Sequence, residues 1–242
     1  MKNTIPISEE FSSIQGEGQF AGVPSYFVRT SGCNLRCWWC DTPYTSWKPE
    51  MKQVELSAIM GRIAEDKARH VVITGGEPML YPEQVAKLIF YCHKIGKPVT
   101  VETNGTIFDE RVSPTLFSVS PKLASSAPIE MFAPLNYSPE IRANALALHL
   151  RNIKAAPLRQ FTRGRDAAQF KFVVCSPLDV NDVVLLVQQH ELHHSSVWLM
   201  PEGRTAQEVM EKAKWVVEAC KETGFNLSMR VQTLIWGMKR GV

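Results

Sequence analysis

Apolar residues along the chain fall into short runs bounded by turn residues, and these alternate with longer segments of helical spacing. The short runs predict strands at residues 24–30, 70–74, 99–103, 116–120, 170–174 and 197–200, and a last strand that begins at 227. The longer segments predict helices at residues 54–66, 82–95, 140–152, 179–190 and 205–223. Strands that alternate with helices are typical of βα units, so we expect an α/β fold around a parallel sheet.

Residues 124–169 interrupt this alternation. The stretch is rich in Pro and Arg and contains only one segment of helical spacing. Its basic side chains suit an acidic partner: Arg151, Lys154, Arg159, Arg163 and Arg165. We favour the simpler interpretation, a solvated and irregular insertion on one face of a single domain that spans residues 1–242.

Composition and charge exclude several classes of protein. The formal net charge of +3 is too small to indicate nucleic-acid or membrane binding by itself. No apolar run in the sequence approaches the roughly 20 residues that span a bilayer. The first ten residues lack the charged-then-apolar pattern of a secretion signal. We therefore expect a cytoplasmic protein that binds neither nucleic acid nor membrane.

Six cysteines are distributed unevenly, with three between residues 33 and 40 and three scattered. A disulfide framework is unusual in a chain of this size that carries no secretion signal. We expect the scattered cysteines to be small buried hydrophobic residues: Cys92, Cys175 and Cys220.

The crowded cysteines Cys33, Cys37 and Cys40 follow a predicted strand. Thiolates are soft donors that bind iron, and three of them leave one iron of a cubane cluster open to a substrate or cofactor. A structural zinc site is an alternative, but it needs a fourth ligand, and no second Cys or His pair lies nearby. A redox-active Cys37-x2-Cys40 pair also stays open, although Cys33 argues against it.

Polar groups and glycines follow several predicted strands, at the edge where α/β sheets place their ligands. These groups are Thr74-Gly75-Gly76-Glu77-Pro78, Glu102-Thr103-Asn104-Gly105, Ser120-Pro121-Lys122 and Met200-Pro201-Glu202-Gly203. Any one of them is compatible with a simple turn, but four at one edge indicate a ligand site. Lys171 lies inside an apolar strand, where an ammonium needs a partner, so we expect it to point toward the same edge.

The cysteine spacing, together with the aromatic Trp39 before the third cysteine, resembles the radical S-adenosylmethionine (SAM) superfamily. The resemblance implies a partial, open TIM-type barrel with a reduced set of helices. It implies a [4Fe–4S] cluster on the three cysteines, whose open iron binds the amino and carboxylate groups of SAM. The cleaved SAM then yields a 5′-deoxyadenosyl radical.

Further motifs resemble the 7-carboxy-7-deazaguanine synthase family from the N-terminus to the last residue. They are FSSIQGEG at residues 11–18, GVP at 22–24, FVR at 27–29, CDT at 40–42, SPK at 120–122 and LIWGMKRGV at 234–242. The QGEG and CDT motifs are much more specific than the cysteines alone. Residues 124–169 carry the weakest resemblance and are interpreted as a family-variable insertion.

The resemblance also implies roles for individual residues. Those assigned to SAM are Trp39, Gly75, Gly76, Glu77, Glu102, Ser120, Pro121, Lys122, Lys171, Met200, Pro201, Glu202 and Gly203. Those assigned to a pterin substrate are Ile14, Gln15, Gly16, Glu17, Arg29, Thr74, Gln232 and Val242. Thr42 is expected to bind, through its hydroxyl, a Mg²⁺ ion that also binds the substrate carboxylate. Asp41 is expected to stabilise that ion without binding it directly. Related chains often have His where this chain has Gln232.

The resemblance implies an enzyme, a lyase that converts 6-carboxy-5,6,7,8-tetrahydropterin to 7-carboxy-7-deazaguanine and ammonia. Its expected partners are the pterin, a reductant such as flavodoxin or ferredoxin, and a second copy in a homodimer. An activating enzyme of a glycyl-radical protein is the alternative, because such enzymes share the cysteine spacing. A metal- or cluster-binding module without turnover is the alternative from a different class.

Overall fold

The computed structural model describes residues 3–128, 138–162 and 168–242. The strands are β1 (Thr4–Ile14), β2 (Pro24–Thr30), β3 (Lys52–Glu55), β4 (His70–Gly75), β5 (Val99–Thr103), β6 (Leu116–Val119), β7 (Ala168–Val174), β8 (Val197–Pro201) and β9 (Asn226–Leu227). They form one open sheet in the order β3-β1-β2-β4-β5-β6-β7-β8-β9. From β2 to β9 every neighbouring pair is parallel, while β1 is antiparallel to both β2 and β3. The expected open α/β sheet is confirmed.

The helices are α1 (Leu56–Glu65), α2 (Pro82–Lys94), α3 (Pro139–Lys154), α4 (Pro177–His190), α5 (Ala206–Thr223) and α6 (Val231–Trp236). Their ends carry ordinary sequence signals. Thr205 and Glu208 form a capping box at the start of α5, and Gly224 ends it in the left-handed conformation. No helix in the described part of the chain is long and apolar enough to cross a membrane.

The core lies between the sheet and the helices that connect its strands. Four phenylalanines, Phe117, Phe161, Phe170 and Phe172, are among its largest fully buried side chains. The ring of Phe161 packs edge-on against Phe117, with centroids 5.1 Å apart. Such a continuous core holds the strands rigidly and fixes the positions of the loops at their ends.

The structure corrects several predicted boundaries. Strand 24–30 is the second strand, because β1 precedes it; β1 lacks a clear pattern, since only Ile5 and Ile7 alternate in burial before its polar second half. The helix predicted at 54–66 begins at Leu56, because residues 52–55 pair with β1. The last strand ends at Leu227.

The scattered cysteines and the insertion also differ in part from expectation. Cys92 and Cys220 are buried as expected, but Cys175 is partly exposed at the end of β7. The insertion is not simply solvated: α3 buries His149, and Phe161 enters the core. The predicted Arg163 and Arg165 lie outside the described residues. The single-domain assignment stays a prediction.

Candidate active site

A cavity of about 620 Å³ opens at the carboxyl ends of the parallel strands, a size typical of sites for small molecules. Its walls come from β1, from the loops that follow the strands, and from the C-terminal tail at 237–242. The cavity therefore combines residues that are far apart in sequence. This is the edge at which the sequence placed its polar strand ends.

Most residues predicted from the sequence line this cavity. They are Ile14, Gln15, Gly16, Glu17, Arg29, Cys33, Cys37, Trp39, Cys40, Asp41, Thr42, Thr74, Gly75, Gly76, Glu102, Ser120, Lys122, Lys171, Met200, Glu202, Gln232 and Val242. Four predicted residues do not line it: Glu77, Pro121, Pro201 and Gly203. Lining residues that received no predicted role include Glu9, Tyr44, Arg230 and Arg240.

The three cysteines lie in the loop that follows β2, and the sulfur atoms of Cys33 and Cys40 face hydrogen-bond donors. The backbone N–H of Leu35 lies 3.4 Å from the Cys33 sulfur, and the side-chain amide of Asn104 lies 3.9 Å from it. The Cys40 sulfur lies 3.8 Å from the hydroxyl of Thr42. Donors around sulfur suit thiolate ligands and tune the potential of an iron–sulfur cluster.

Without metal, burial keeps these thiols protonated. It raises the pKa of Cys33 to about 12, with a further contribution from the nearby carboxylate of Glu77. Burial also raises the pKa values of Cys37 and Cys40. Buried thiols that share one cavity and are surrounded by donors fit a [4Fe–4S] cluster, whose binding would displace their protons.

Trp39 and Lys122 lie next to the cysteines. The Lys122 ammonium lies 5.4 Å from the centroid of the Trp39 ring, and it donates to the backbone oxygen of Ser120 at 2.7 Å. The indole N–H of Trp39 is buried and donates to none of the described residues. A buried donor without a protein acceptor in a cavity wall suits a polar ligand such as SAM.

The glycines after β4 are required by close backbone packing. Gly75 has φ +147, and a Cβ there would lie 2.3 Å from the backbone oxygen of Thr30. A Cβ on Gly76 would lie 2.2 Å from the backbone oxygen of Gly32. Both glycines line the cavity. Their lack of a side chain lets the turn after β4 pack closely against the start of the cysteine loop, whereas the sequence suggested close packing against a ligand.

Glu77 has surroundings that the sequence did not suggest. Its fully buried carboxylate accepts hydrogen bonds from the backbone N–H groups of Met79 (2.9 Å) and Asn104 (2.7 Å) and from the hydroxyl of Thr103 (2.8 Å). Burial raises the pKa of Glu77 to about 7, and the hydrogen bonds oppose the rise. With these bonds, Glu77 ties the β4 turn to the end of β5, and it does not line the cavity, so its contact with SAM stays a prediction.

Replacing Glu77 by glutamine is expected to destabilise the cluster-free protein by about 1–3 kcal/mol, because an amide N–H₂ would then face a buried N–H donor. The free energy of unfolding in urea measures the effect. Glu83→Gln, at a solvent-exposed glutamate at the start of α2, is the matched control and should leave stability nearly unchanged. Equal stability of the Glu77 and Glu83 variants would contradict this assignment.

A buried network of charges forms the floor of the cavity. The Lys171 ammonium, almost fully buried in β7, lies 2.8 Å from a Glu17 oxygen and 3.3 Å from a Glu102 oxygen. Glu102 also accepts from the Gln15 amide at 3.1 Å and the Thr74 hydroxyl at 3.2 Å. The expectation that Lys171 points toward the ligand edge is therefore confirmed, and its partners are these two carboxylates.

Arg230 extends the network and was not singled out from the sequence. Its guanidinium bonds to Asp41, lies 3.5 Å from Glu17 and donates to the backbone oxygen of Gly203 at 2.6 Å. Burial alone would raise the pKa of Glu17, but Lys171 and Arg230 together lower it to about 2. Glu17 is thus a carboxylate at every ordinary pH and can only accept hydrogen bonds.

This charge state fixes the orientation of Gln232. Because Glu17 only accepts, the Gln232 amide must donate its N–H₂ to it, at 2.8 Å. Its amide oxygen is buried and accepts from none of the described residues. In this orientation Gln232 offers an acceptor, so it suits an N–H donor of a ligand better than a carboxylate.

Arg29 and the C-terminal tail meet at the cavity mouth through Glu9. The Glu9 carboxylate accepts from Arg29 Nε and from the Tyr44 hydroxyl, both at 2.7 Å. The Arg240 guanidinium lies 3.6 Å from the centroid of the Tyr44 ring and 3.5 Å from Glu9. The two terminal nitrogens of Arg29 donate to none of the described residues. They can therefore form two parallel hydrogen bonds to a carboxylate.

Known proteins resemble the chain over almost its whole length. The sequence model of the radical SAM superfamily matches residues 27–120. A 7-carboxy-7-deazaguanine synthase of Rhodopirellula baltica is 35% identical over 241 residues, which is 99% of this chain and 90% of that one. That of Halobacterium salinarum is 39% identical over 96% of this chain and 90% of its own. The chain belongs to the 7-carboxy-7-deazaguanine synthase family.

A solved structure agrees with this assignment. QueE from Escherichia coli is similar with a TM-score of 0.65 and 26% identity, over 94% of each chain. Membership of the 7-carboxy-7-deazaguanine synthase family makes the chain a radical SAM enzyme, which uses a [4Fe–4S] cluster and SAM. The clustered cysteines, the glycines after β4 and the Trp39 donor all lie on the cavity, as that chemistry requires.

Proposed function

We propose that this enzyme converts 6-carboxy-5,6,7,8-tetrahydropterin to 7-carboxy-7-deazaguanine and ammonia, a step toward queuosine and other 7-deazapurines. The observation that carries the proposal is the meeting, in one cavity, of the cysteine loop with the QGEG, CDT and tail motifs. The full-length similarity to relatives of that name supports it. The glycyl-radical activating alternative shares only the cysteine spacing and is not favoured.

The substrate side of the cavity suits a pterin that carries a carboxylate. Arg29, held at Nε by Glu9, offers its two terminal nitrogens to that carboxylate. Glu17 and the oxygen of Gln232 offer acceptors for ring N–H groups. The amide oxygen of Gln15 accepts hydrogen bonds from the backbone N–H groups of the next two residues. Gln15 therefore mainly stabilises the conformation of the QGEG loop.

A Mg²⁺ ion at Thr42 is part of the proposal. The Thr42 hydroxyl lines the cavity, and magnesium prefers oxygen ligands, to which bound water and the substrate carboxylate would contribute. Asp41 is paired with Arg230, so it would support the ion from a fixed position. The ion would neutralise the substrate carboxylate and orient the ring.

When bound, the cluster and SAM supply the radical that starts the reaction. The net change is a ring contraction with loss of ammonia, so it needs no external oxidant. The chain itself orients the pterin through Arg29 and Glu17, while the paired charges on the floor keep the site preorganised. The tail at 237–242 lines the same cavity, where it would limit access of water to a bound substrate.

An anaerobic turnover assay tests the function. Protein reconstituted with iron and sulfide is incubated with dithionite, SAM, Mg²⁺ and 6-carboxy-5,6,7,8-tetrahydropterin, and the products are identified by mass. We expect 7-carboxy-7-deazaguanine and one ammonia per product, with no product when SAM is omitted and less product without Mg²⁺. SAM cleavage without any change in the pterin would refute the proposed substrate.

The proposal has three further parts. Reduction by a flavodoxin or ferredoxin and a homodimeric assembly rest on the family resemblance, while the third, a cytoplasmic location, rests instead on the sequence pattern. Sedimentation of the purified protein tests the assembly, and replacement of dithionite by reduced flavodoxin in the turnover assay tests the donor.

A further inference from the structure

Helix α3, inside the insertion expected to be solvated, packs directly on the cysteine loop. Its C-terminal half and residues 124–126 lie beside residues 34–38. Most of α3 is exposed or partly exposed, and only His149 is buried. A helix whose one buried residue is polar is unusual, because helices in such domains commonly bury an apolar stripe.

His149 uses both of its ring nitrogens. Nδ1 accepts the backbone N–H of Arg36 at 3.1 Å, and Nε2 lies 2.9 Å from the hydroxyl of Ser126. A backbone N–H can only donate, so Nδ1 carries no proton, and the neutral ring donates from Nε2 to Ser126. Burial and the nearby Lys122 and Arg36 lower the pKa of His149 to about 4, which keeps the ring neutral.

Other hydrogen bonds hold the same loop from the same side. The Asn152 amide donates to the backbone oxygen of Asn34 at 2.9 Å. The backbone N–H of Trp38 donates to the oxygen of Ser126 at 3.2 Å, and its indole N–H donates to the oxygen of Ser125 at 2.8 Å. The loop is therefore fixed on both sides of Cys37.

We propose that His149 and Asn152 are positioning residues, which hold the cysteine loop in its ligating conformation before iron arrives. A free loop would lose backbone entropy when it binds a cluster, whereas a loop that is already ordered has lost it during folding. Through Ser126, whose hydroxyl donates to the backbone oxygen of Leu123 at 2.6 Å, His149 also ties residues 123–126 to the cysteine loop. The inference rests on the family's cluster and not on the pterin substrate.

Hydrogen exchange on the cluster-free protein tests whether His149 and Asn152 hold the cysteine loop. In His149→Phe, which fills the space but removes both hydrogen bonds, amides 34–38 should exchange about tenfold faster, and those of β4 should not change. His149→Gln keeps one acceptor and one donor and should restore protection. Asn152→Ala should act in the same direction, and Asn144→Ala, at an exposed position of α3, should have no effect.

The reconstituted protein provides the second readout. Iron release to a chelator should be about tenfold faster in His149→Phe than in the wild type, because a loop that is no longer held opens more often. The glutamine variant should lie near the wild type. Wild-type exchange and iron release in both His149→Phe and Asn152→Ala would overturn the proposal. So would equal acceleration of exchange in β4, because the effect would then be global. If His149→Phe fails to fold, the comparison of Asn152→Ala with Asn144→Ala decides.

Discussion

Replacing Cys37 by serine is expected to abolish SAM cleavage and pterin turnover. Cys37 is one of three thiols on the cavity, and a hydroxyl is a much poorer ligand for iron than a thiolate. After anaerobic reconstitution, we expect iron and sulfide to fall to background and the visible absorbance of the cluster to disappear. The same preparation should release no 5′-deoxyadenosine.

Cys175→Ser is the matched control, because Cys175 follows β7 and does not line the cavity. It should keep its iron content and activity. A Cys37→Ser protein that retained a full cluster and cleaved SAM would show that the ligand assignment is wrong, whatever the substrate.

Replacing Lys171 by methionine is expected to lower the free energy of unfolding by about 3 kcal/mol at pH 7.5, since it leaves two largely buried carboxylates without their shared cation. Burial, the largest influence on Glu17, would then be opposed mainly by Arg230, so the pKa of Glu17 should rise above that in the unfolded chain. Proton uptake by this carboxylate stabilises the folded variant. That stabilisation is present below the raised pKa and is lost as the pH rises through it. The variant should therefore regain stability as the pH falls from 7.5 to 5.5.

Urea unfolding of the cluster-free protein at both pH values measures this. Adding Glu17→Gln to Lys171→Met should recover part of the loss, because one unpaired charge is removed. Lys87→Met, in a partly exposed ion pair of α2, is the control and should change stability little. A Lys171 variant with unchanged, pH-independent stability would contradict the described network.

The sequence predicts the floor and walls of the site well, because strand ends are a local signal. Each polar group after an apolar run lies near the carboxyl edge of a parallel sheet, and that edge is shared by all such strands. The direction of Lys171 was predicted from another local signal, because a charge inside an apolar strand requires a partner. The family motifs then placed Gln15, Glu17 and Thr42 on the same cavity.

What the sequence missed depends on contacts between distant residues. The direction of Glu77 is set by N–H donors of Asn104, 27 positions away, so its motif alone suggested a ligand contact. Arg230 is paired with Asp41 across 189 positions. His149 leaves almost no trace in the hydrophobic pattern, because one buried polar residue does not create an apolar stripe.

The position of His149 and Asn152 in the sequence, far after the cysteine loop that they hold, also has a consequence for the order of events during translation. The three cysteines are made first, and the residues that hold their loop, up to Asn152, are made later. Synthesis at roughly 5–20 residues per second leaves roughly 5 to 20 s between Cys40 and Asn152. During that interval the nascent chain carries its thiols without His149 or Asn152 to hold them, so the loop reaches its ligating conformation only after more than half of the protein has left the ribosome.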